Sequence, residues 1–286
     1  MKIKRDQWNI AFKYSSDPVF KIIPNGISYW VADPFPIKYK GELYLFAELY
    51  YYKKNKGVIG YSKYKNGKFG SWSIAIEEPW HLSFPFIITN NDNIYICPES
   101  YKSGKYFAYI AKEFPNKWER LSPIRADGNL YVDSVFSYIE DELYFFAYQM
   151  NPDCHSKGIL YFHNLSKNKF KHPTKISTAY PRAGGNILKY NNQYIRVAQN
   201  CDLEYGQGLV FFDIQFANGN YYEKMIRKVY PDDIKVDSNK KFYGIHTFNT
   251  YDNFQVIDLK TKEFNLIDIL FRVIRKICKC ITNILT

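Results

Sequence analysis

Acidic side chains recur in this 286-residue chain at regular spacings. Asp133 follows Asp33 by 100 residues, and Glu99 follows Glu48 by 51 residues. Paired carboxyl groups are what glycosyl chemistry requires, because one accepts a proton or attacks the anomeric carbon while the other protonates the departing oxygen. We therefore regard Asp33, Asp133 and Glu99 as candidate catalytic residues.

The segment Arg182-Ala-Gly-Gly is a candidate anion site. A guanidinium can hold a phosphate by paired hydrogen bonds, and Gly184 and Gly185 would let backbone amides approach the same anion. No acidic residue lies between Thr174 and Gln199. This pattern favours a phosphate-activated sugar as the substrate, because its leaving group needs no carboxylic acid to protonate it.

The elements that must position these residues are indicated by a repeated phrase of two apolar strands joined by a short polar turn. Copies begin near residues 32, 82, 132, 183 and 244. Sequence between the copies can supply two more strands to each unit. Five four-stranded units at this spacing predict an all-β fold, a five-bladed β-propeller spanning residues 1–262. A two-sheet sandwich is the alternative, and the segment around Trp8 is expected to supply a strand that closes the ring.

The propeller geometry explains how distant residues could form one site. Innermost strands converge on the axis, so Asp33, Asp133 and His246 should surround the central channel. The second strand of each blade runs antiparallel and ends on the face where the first began. Glu48 and Glu99 should therefore lie on that face, one strand further from the axis than Asp33.

Composition limits the classes of partner. The chain has 39 basic and 28 acidic residues, a net charge of +11, which suggests a polyanionic or anionic-surface partner. No nucleic-acid recognition motif accompanies this charge, so no nucleic-acid partner is expected. The five cysteines lack zinc-site or disulfide-framework spacing, and the charged start lacks a secretory signal. We expect no metal, no cofactor and a cytoplasmic location.

Several phrases carry a resemblance to known propellers. They are Ala32-Asp-Pro-Phe, His81-Leu-Ser-Phe-Pro-Phe, Cys97-Pro-Glu-Ser, Phe114-Pro-Asn-Lys-Trp, Arg182-Ala-Gly-Gly, Val197-Ala-Gln-Asn-Cys, Glu204-Tyr-Gly and Gly244-Ile-His-Thr. With Asp33 and Asp133 they resemble the five-bladed glycoside hydrolase family 43. The chain is more similar to the N-terminal propeller domain of plant glucosamine inositolphosphorylceramide transferases and of bacterial proteins of surface-polysaccharide synthesis.

The resemblance implies roles for single residues. Asp33 would be the base or nucleophile, and Asp133 would orient or tune its partner. The hydrolases take their general acid from the fourth blade, where this chain has Arg182 instead, although Glu99 could substitute from another blade. The remaining residues are expected to bind substrate, with Trp30 stacking on a sugar ring: His81, His246, Gln199, Trp30 and Tyr205.

These features support three candidate functions. The leading expectation is a glycosyltransferase-like enzyme that moves a sugar from a phosphate-activated donor to a glycan or glycolipid acceptor during surface-polysaccharide or glycolipid assembly. The alternatives are a furanosidase-like glycoside hydrolase using Asp and Glu as acid and base, and a non-catalytic glycan-binding propeller.

The C-terminal segment departs from the β pattern. In residues 263–286, apolar side chains recur every three or four positions and charged ones occupy the other side, which predicts a basic amphipathic helix. Its charged residues argue against a transmembrane span. We expect residues 264–286 to bind an anionic membrane surface, placing the protein peripherally on the inner face of the membrane. Packing against the propeller or another subunit stays open.

Overall fold

Five β-sheets surround a common axis, which confirms the predicted five-bladed propeller. The computed structural model describes residues 4–125, 131–151, 154–168, 173–217 and 220–285, without the side chains of 154–157, 168 and 283–285. Residues 1–3, at the start of the predicted propeller segment 1–262, lie outside these ranges. So does Thr286, at the end of the predicted helical segment 263–286.

Each blade places one strand beside the axis and a second strand antiparallel to it. The innermost strands are β3 (Tyr29–Tyr39), β8 (Ser83–Asn90), β12 (Tyr131–Ile139), β16 (Ala183–Tyr190) and β21 (Phe248–Tyr251). The second strands are β4 (Glu42–Tyr51), β9 (Asn93–Glu99), β13 (Glu142–Asn151), β17 (Gln193–Asn200) and β22 (Phe254–Glu263). The outer strands of the first four blades are β5 (Lys56–Lys65), β6 (Lys68–Phe69), β7 (Ser73–Ile76), β10 (Tyr109–Glu113), β11 (Lys117–Arg120), β14 (Cys154–Asn164), β15 (Thr174–Ile176), β18 (Gly208–Ala217) and β19 (Asn220–Val229).

The fifth blade joins the two ends of the propeller. It adds β1 (Arg5–Tyr14), β2 (Phe20–Ile23) and β20 (Val236–Asp237) to β21 and β22. Strand β1 pairs antiparallel with β22 along its whole length. The expected ring closure by the segment around Trp8 is thus confirmed. The described residues also form the α-helices α1 (Leu165–Asn168) and α2 (Leu266–Leu285), and α2 confirms the predicted C-terminal helix.

Local chemistry explains the repeated hairpins. The turns between the first and second strands of blades one to four each hold two consecutive residues with positive φ. Such turns match the twist of the strands they connect and favour Gly, Asn and Asp. The pairs are Lys40-Gly41, Asn91-Asp92, Glu140-Asp141 and Asn191-Asn192. The polar turns of the repeated phrase are therefore the hairpin ends.

The aromatic excess fills the spaces between blades. Phe35 of blade one meets Phe84 of blade two edge to face, with ring centroids 4.8 Å apart. Tyr144 of blade three contacts Phe216 of blade four at 4.4 Å. A buried aromatic side chain contributes about 1.5–3 kcal/mol. These interfaces hold the innermost strands around the axis and so fix the position of the site.

Candidate active site

A cavity of about 560 Å³ lies at the end of the propeller where the innermost strands begin. Its wall includes most of the predicted site residues: Asp33, Asp133, Glu99, Arg182, His81, His246, Trp30 and Tyr205. It also includes seven residues outside that set: Trp8, Glu48, Tyr50, Ser83, Tyr101, Val132 and Met150. Residues more than 200 positions apart in the chain therefore meet in one concave site.

A repeated β-bulge presents the two aspartates to the cavity. The pairing register shifts across Asp33 in β3, across Phe84 in β8 and across Asp133 in β12. These residues have φ values of +51°, +43° and +43° respectively. Aspartate tolerates this left-handed region better than most side chains, and a bulge redirects the side chain that it carries. The strands therefore supply carboxylates at equivalent places in blades one and three.

Asp33 is buried and firmly held. Its carboxylate accepts hydrogen bonds from the main-chain N–H of Phe84 at 3.1 Å and from the hydroxyl of Thr247 at 2.9 Å. Burial raises the pKa of Asp33 to about 6, and Asp133 adds to the rise, while His246 and Thr247 oppose it. The group is ionised at neutral pH yet close enough to its pKa to take up a proton. This is the behaviour of a general base.

His246 connects Asp33 to the closing blade. Its Nε2 lies 3.5 Å from Oδ1 of Asp33, and its Nδ1 lies 2.7 Å from Oδ2 of Asp258. The indole of Trp8 stacks on the imidazole with ring centroids 3.8 Å apart. Burial acts to lower the pKa of His246, but the carboxylates of Asp258 and Asp33 outweigh it and raise the pKa above its usual value. The raised pKa favours the protonated imidazole, whose charge would oppose those of Asp33 and Asp258.

Asp33, His246 and Asp258 offer ligand atoms within 4.8 Å of one another, a spacing that a metal ion can use. Their carboxylate oxygens already serve the fold. Asp258 accepts hydrogen bonds from the main-chain N–H groups of Asp33, His246 and Thr247. Thr247 also donates its hydroxyl proton to Asp33. These donors compete with a cation for the same oxygens, so the cluster fits a network that holds Asp33 in place.

A second cluster joins blades two, three and four. The Nε of Arg182 donates a hydrogen bond of 2.5 Å to Oδ2 of Asp133, and Nε2 of Gln199 donates to the same oxygen at 2.9 Å. Glu99 lies within hydrogen-bonding distance of Asp133. Burial raises the pKa of Glu99 well above its usual value and the charge of Asp133 adds to this, while Arg182 opposes it. Glu99 therefore retains its proton to a higher pH than an exposed glutamate does.

Glu48 is a further acid that we did not select as a site residue from the sequence. Its Oε1 lies 3.5 Å from Nε2 of His81 and has no hydrogen-bond partner among the described residues. Burial raises the pKa of Glu48 well above its usual value, with Asp33 and Glu99 adding to the rise. Burial also lowers the pKa of His81 to about 4, so the imidazole is neutral at neutral pH and forms no ion pair with Glu48. The 51-residue spacing from Glu99 was the available signal.

Aromatic rings form the rim of the cavity. Trp30 and Tyr50 stack with centroids 4.7 Å apart and planes 4° apart. On the other side, the guanidinium of Arg182 lies 4.9 Å over the ring of Tyr205. Flat apolar faces beside a few polar groups are typical of small-molecule sites, and a sugar ring offers both kinds of contact. Trp30 and Tyr205 thus lie where a bound sugar would reach them.

Gly184, Gly185 and Gln199 lie behind the cavity wall. Gly184 packs near Leu209 and the carbonyl of His246. Gly185, with φ of +147°, leaves no room for a Cβ beside the carbonyl of Phe248 in the closing blade. Gln199 contacts Asp133 and the carbonyl of Ala183 rather than the open space. The proposed anion contact of the two glycines stays a prediction; their visible role is close packing between blades.

The fold and the site define a five-bladed β-propeller with buried acids and one arginine at its axis. Residues 21–268 match the family described as glucosamine inositolphosphorylceramide transferase 1, N-terminal. The chain belongs to this family, which confirms the resemblance drawn from its sequence phrases.

Curated relatives agree with this membership. Glucosamine inositolphosphorylceramide transferase 1 of Arabidopsis thaliana is 28% identical over 213 residues, covering 69% of this chain and 27% of the relative. The protein of the same name from Oryza sativa subsp. japonica is 26% identical over 228 residues, covering 75% and 29%. The chain thus spans less than a third of the curated relatives that it matches.

Solved structures support the fold. A thermostable family-43 glycoside hydrolase superposes with a TM-score of 0.58 at 12% identity, covering 88% of this chain and 92% of the hydrolase. An α-L-arabinofuranosidase from Lactobacillus brevis superposes with a TM-score of 0.56 at 11% identity, covering 83% and 92%. At such identities the likeness concerns the propeller architecture alone.

Proposed function

We propose that the cavity transfers a glycosyl unit from a phosphate-activated donor to a hydroxyl of a glycan or glycolipid. The observation that carries the proposal is the position of Arg182. Asp133 holds the guanidinium through Nε. In the part of the chain that the structure describes, no hydrogen bond engages the terminal nitrogens Nη1 and Nη2. Two donors of a planar fork are therefore available to a phosphate at the cavity wall.

The charge state of the cavity is compatible with an anionic ligand. Four carboxyl groups would repel a phosphate if all were ionised, but the pKa values of Glu48 and Glu99 are raised well above the usual value, which favours the uncharged form of both groups. Asp133 is paired with Arg182, and His246 lies beside Asp33. A protonated carboxyl group donates one hydrogen bond, so Glu48, whose Oε1 has no hydrogen-bond partner among the described residues, can contact a phosphate oxygen in its protonated form.

The chemistry assigns one proton transfer to the protein. Asp33 accepts the proton of the acceptor hydroxyl as the new bond from that oxygen to the anomeric carbon forms. The bond from the anomeric carbon to the donor phosphate oxygen breaks, and the phosphate leaves with the electron pair. Arg182 stabilises the charge that develops on the phosphate. This assignment gives each residue a contact with a reacting group.

The family adds a separate argument. The curated relatives are named for transfer to inositolphosphorylceramide, and a sugar donor with a glycan or glycolipid acceptor follows from that kind of activity. The match is to an N-terminal region and to less than a third of each relative. The donor and acceptor of this chain are therefore proposals, which rest on Arg182 as much as on the family.

Glycoside hydrolysis is the second candidate, favoured by one observation. Glu99, whose pKa is raised well above the usual value, lines the same cavity as Asp33, whose pKa is raised only to about 6. Such a pair, one acid and one base, is what hydrolysis of a glycosidic bond uses.

Incubation of the purified protein separately with nucleoside-diphosphate sugars, sugar phosphates and oligosaccharides distinguishes these candidates. Transfer predicts release of the phosphate-bearing leaving group, increased by an added glycan or glycolipid acceptor. Free sugar from oligosaccharides without donor turnover would establish the hydrolase. Binding without turnover of either class would establish a glycan-binding propeller. A crystal soaked with a sugar phosphate should show the phosphate beside Arg182.

A further inference from the structure

The C-terminal helix turns its polar side toward the propeller. Asn265 caps the helix, because its Oδ1 accepts hydrogen bonds from the main-chain N–H groups of Ile267 and Asp268. The side chain of Asp268 is 6% exposed and lies 3.5 Å from Arg5 of β1. Further along, Nη1 of Arg275 donates a hydrogen bond of 2.6 Å to the carbonyl of Tyr52. Charged side chains of α2 therefore contact the propeller, whereas a surface helix usually contacts its own domain through apolar side chains.

The apolar side of α2 consequently faces away from the protein. Six of its aliphatic side chains are between 39% and 69% exposed. Contiguous apolar surface of this kind marks an interaction site. The residues are Leu266, Leu270, Val273, Ile274, Ile277 and Ile281.

The helix and the cavity lie at the same end of the propeller. A depression beside the cavity is lined by Arg5, Tyr52 and Asp268, which hold the helix, and by the stacked pair Trp30 and Tyr50. The same Trp30 and Tyr50 line the cavity itself. One aromatic pair therefore separates the base of α2 from the proposed sugar site. Whatever covers the apolar face of the helix also comes close to the cavity mouth.

Charge favours one occupant of this face. Helix α2 has four basic residues and one acidic residue, 4 − 1 = +3, within a chain of net charge +11. Lys276 and Lys279 are exposed on the half of the helix beyond the propeller contacts. A second copy would bring two helices of like charge together, whereas an anionic bilayer attracts both the helix and the propeller. Among the described residues, no helix is long and apolar enough to cross a membrane.

We propose that α2 lies flat in the surface of a membrane containing anionic lipid. Its apolar side enters the boundary with the acyl chains, and the propeller sits on the aqueous side with the cavity mouth beside the lipid surface. Resting on the proposed transfer, this placement makes a membrane-embedded glycolipid the acceptor class that reaches Asp33 most directly. Membrane docking itself depends only on the helix.

Vesicle co-sedimentation of the full chain tests the proposal. Vesicles of phosphatidylcholine with phosphatidylglycerol, and of phosphatidylcholine alone, are compared for the unaltered protein and for Ile277→Glu combined with Ile281→Glu. Ile226→Glu on β19 is the matched control, since Ile226 is 52% exposed and Ile277 is 54% exposed. We expect the helix variant to lose about 10-fold or more in binding to the anionic vesicles. The control should bind like the unaltered protein.

A charge-reversed variant, Lys276→Glu with Lys279→Glu, should lose binding to anionic vesicles while the unaltered protein loses it on addition of salt. Circular dichroism melts establish that each variant is folded. Equal binding of the helix variant and the unaltered protein would overturn the proposal. A second result would also overturn it: the unaltered protein does not bind vesicles and is oligomeric, and it becomes monomeric when Ile277 and Ile281 are replaced. In that case α2 would pair with a second copy. Sugar donors are absent from these measurements, so failure of the transferase proposal leaves their outcome unchanged.

Discussion

Arg182 of blade four and Asp133 of blade three meet beside the propeller axis, where Nε of the guanidinium donates a 2.5 Å hydrogen bond to Oδ2 of the carboxylate. Gln199 donates to the same oxygen. Oδ2 of Asp133 therefore accepts two hydrogen bonds, one of which fixes the guanidinium. If Arg182 binds the donor phosphate, Asp133 positions that contact. Loss of Asp133 is therefore expected to lower the affinity for the donor more than the rate of proton transfer.

Replacing Arg182 should weaken phosphate binding to an extent that depends on the new side chain. Charge-assisted hydrogen bonds contribute about 1.5–3 kcal/mol, so Arg182→Gln should weaken the binding of a nucleoside diphosphate by roughly 10- to 100-fold. Arg182→Lys keeps the charge but loses the planar fork, so its loss should be smaller. Isothermal titration calorimetry measures both variants. Equal affinity of Arg182→Gln and the unaltered protein would contradict the assigned phosphate site.

Glu99 distinguishes transfer from hydrolysis. Glu99→Gln replaces the carboxyl group by an uncharged amide of similar shape, which resembles the protonated form that the raised pKa of Glu99 favours. Turnover of a phosphate-activated donor should then stay within a few-fold, since the leaving group needs no proton. Hydrolysis of a glycosidic bond would fall by about 10²- to 10⁴-fold when its acid is lost. Steady-state rates with both substrate classes decide between them.

Glu48→Gln is the matched control for that experiment. It makes the same chemical change at the other carboxyl group of the cavity whose pKa is raised well above the usual value. If transfer is the reaction, both variants should retain donor turnover. A large loss in Glu99→Gln alone would assign the role of acid to Glu99 and would favour the hydrolase.

The sequence was sufficient to predict the propeller because its information is local and repeated. Alternating apolar residues and polar turns recur in every blade, and the +100 spacing of Asp33 and Asp133 reflects two equivalent bulges. Contacts between blades leave no such trace. The stacking of Trp8 on His246 depends on ring closure, which brings β1 beside the closing blade from the far end of the chain.

Gly184 and Gly185 show what the sequence alone could not predict. A glycine in the sequence indicates a close approach or an unusual φ without saying what approaches. The sequence predicted that Gly185 approaches a phosphate, which stays a prediction, whereas the structure shows that it packs against the carbonyl of Phe248. Glu48 was placed on the correct face by its spacing, but its burial, which changes its protonation, became apparent only from packing around it.

The pKa of Asp33 predicts how stability and activity depend on pH. Its folded value of about 6 lies above the unfolded value near 3.9. The folded state therefore binds the proton more tightly, and the stability that this gives is present below about pH 4 and is lost as pH rises past about 6. Asp33→Asn should remove this component, at most about 3 kcal/mol. Melting temperatures from pH 4 to pH 8 measure the difference.

Activity should follow the opposite direction, because the base must be ionised. Transfer by the unaltered protein should rise with pH through about 6, and Asp33→Asn should reduce it by about 10²- to 10⁴-fold. A pH–rate profile with one donor at saturation measures the midpoint. A profile that is flat from pH 5 to pH 8 would show that a group other than Asp33 takes the proton.

Gly185 provides a test of packing against ligand binding. Gly185→Ala would introduce a Cβ against the Phe248 carbonyl at a φ of +147°, whereas Gly41, with φ of +82°, has nothing within 4 Å of its Cβ position. Backbone strain of this kind costs about 1–3 kcal/mol, so both variants should lose stability, and Gly185→Ala should lose more because blade four must move away from the closing blade. Thermal unfolding compares the two variants. An equal shift in melting temperature would show that the blade contact tolerates the Cβ, and loss of nucleoside-diphosphate affinity in a fully stable Gly185→Ala would instead support the anion role predicted from the sequence.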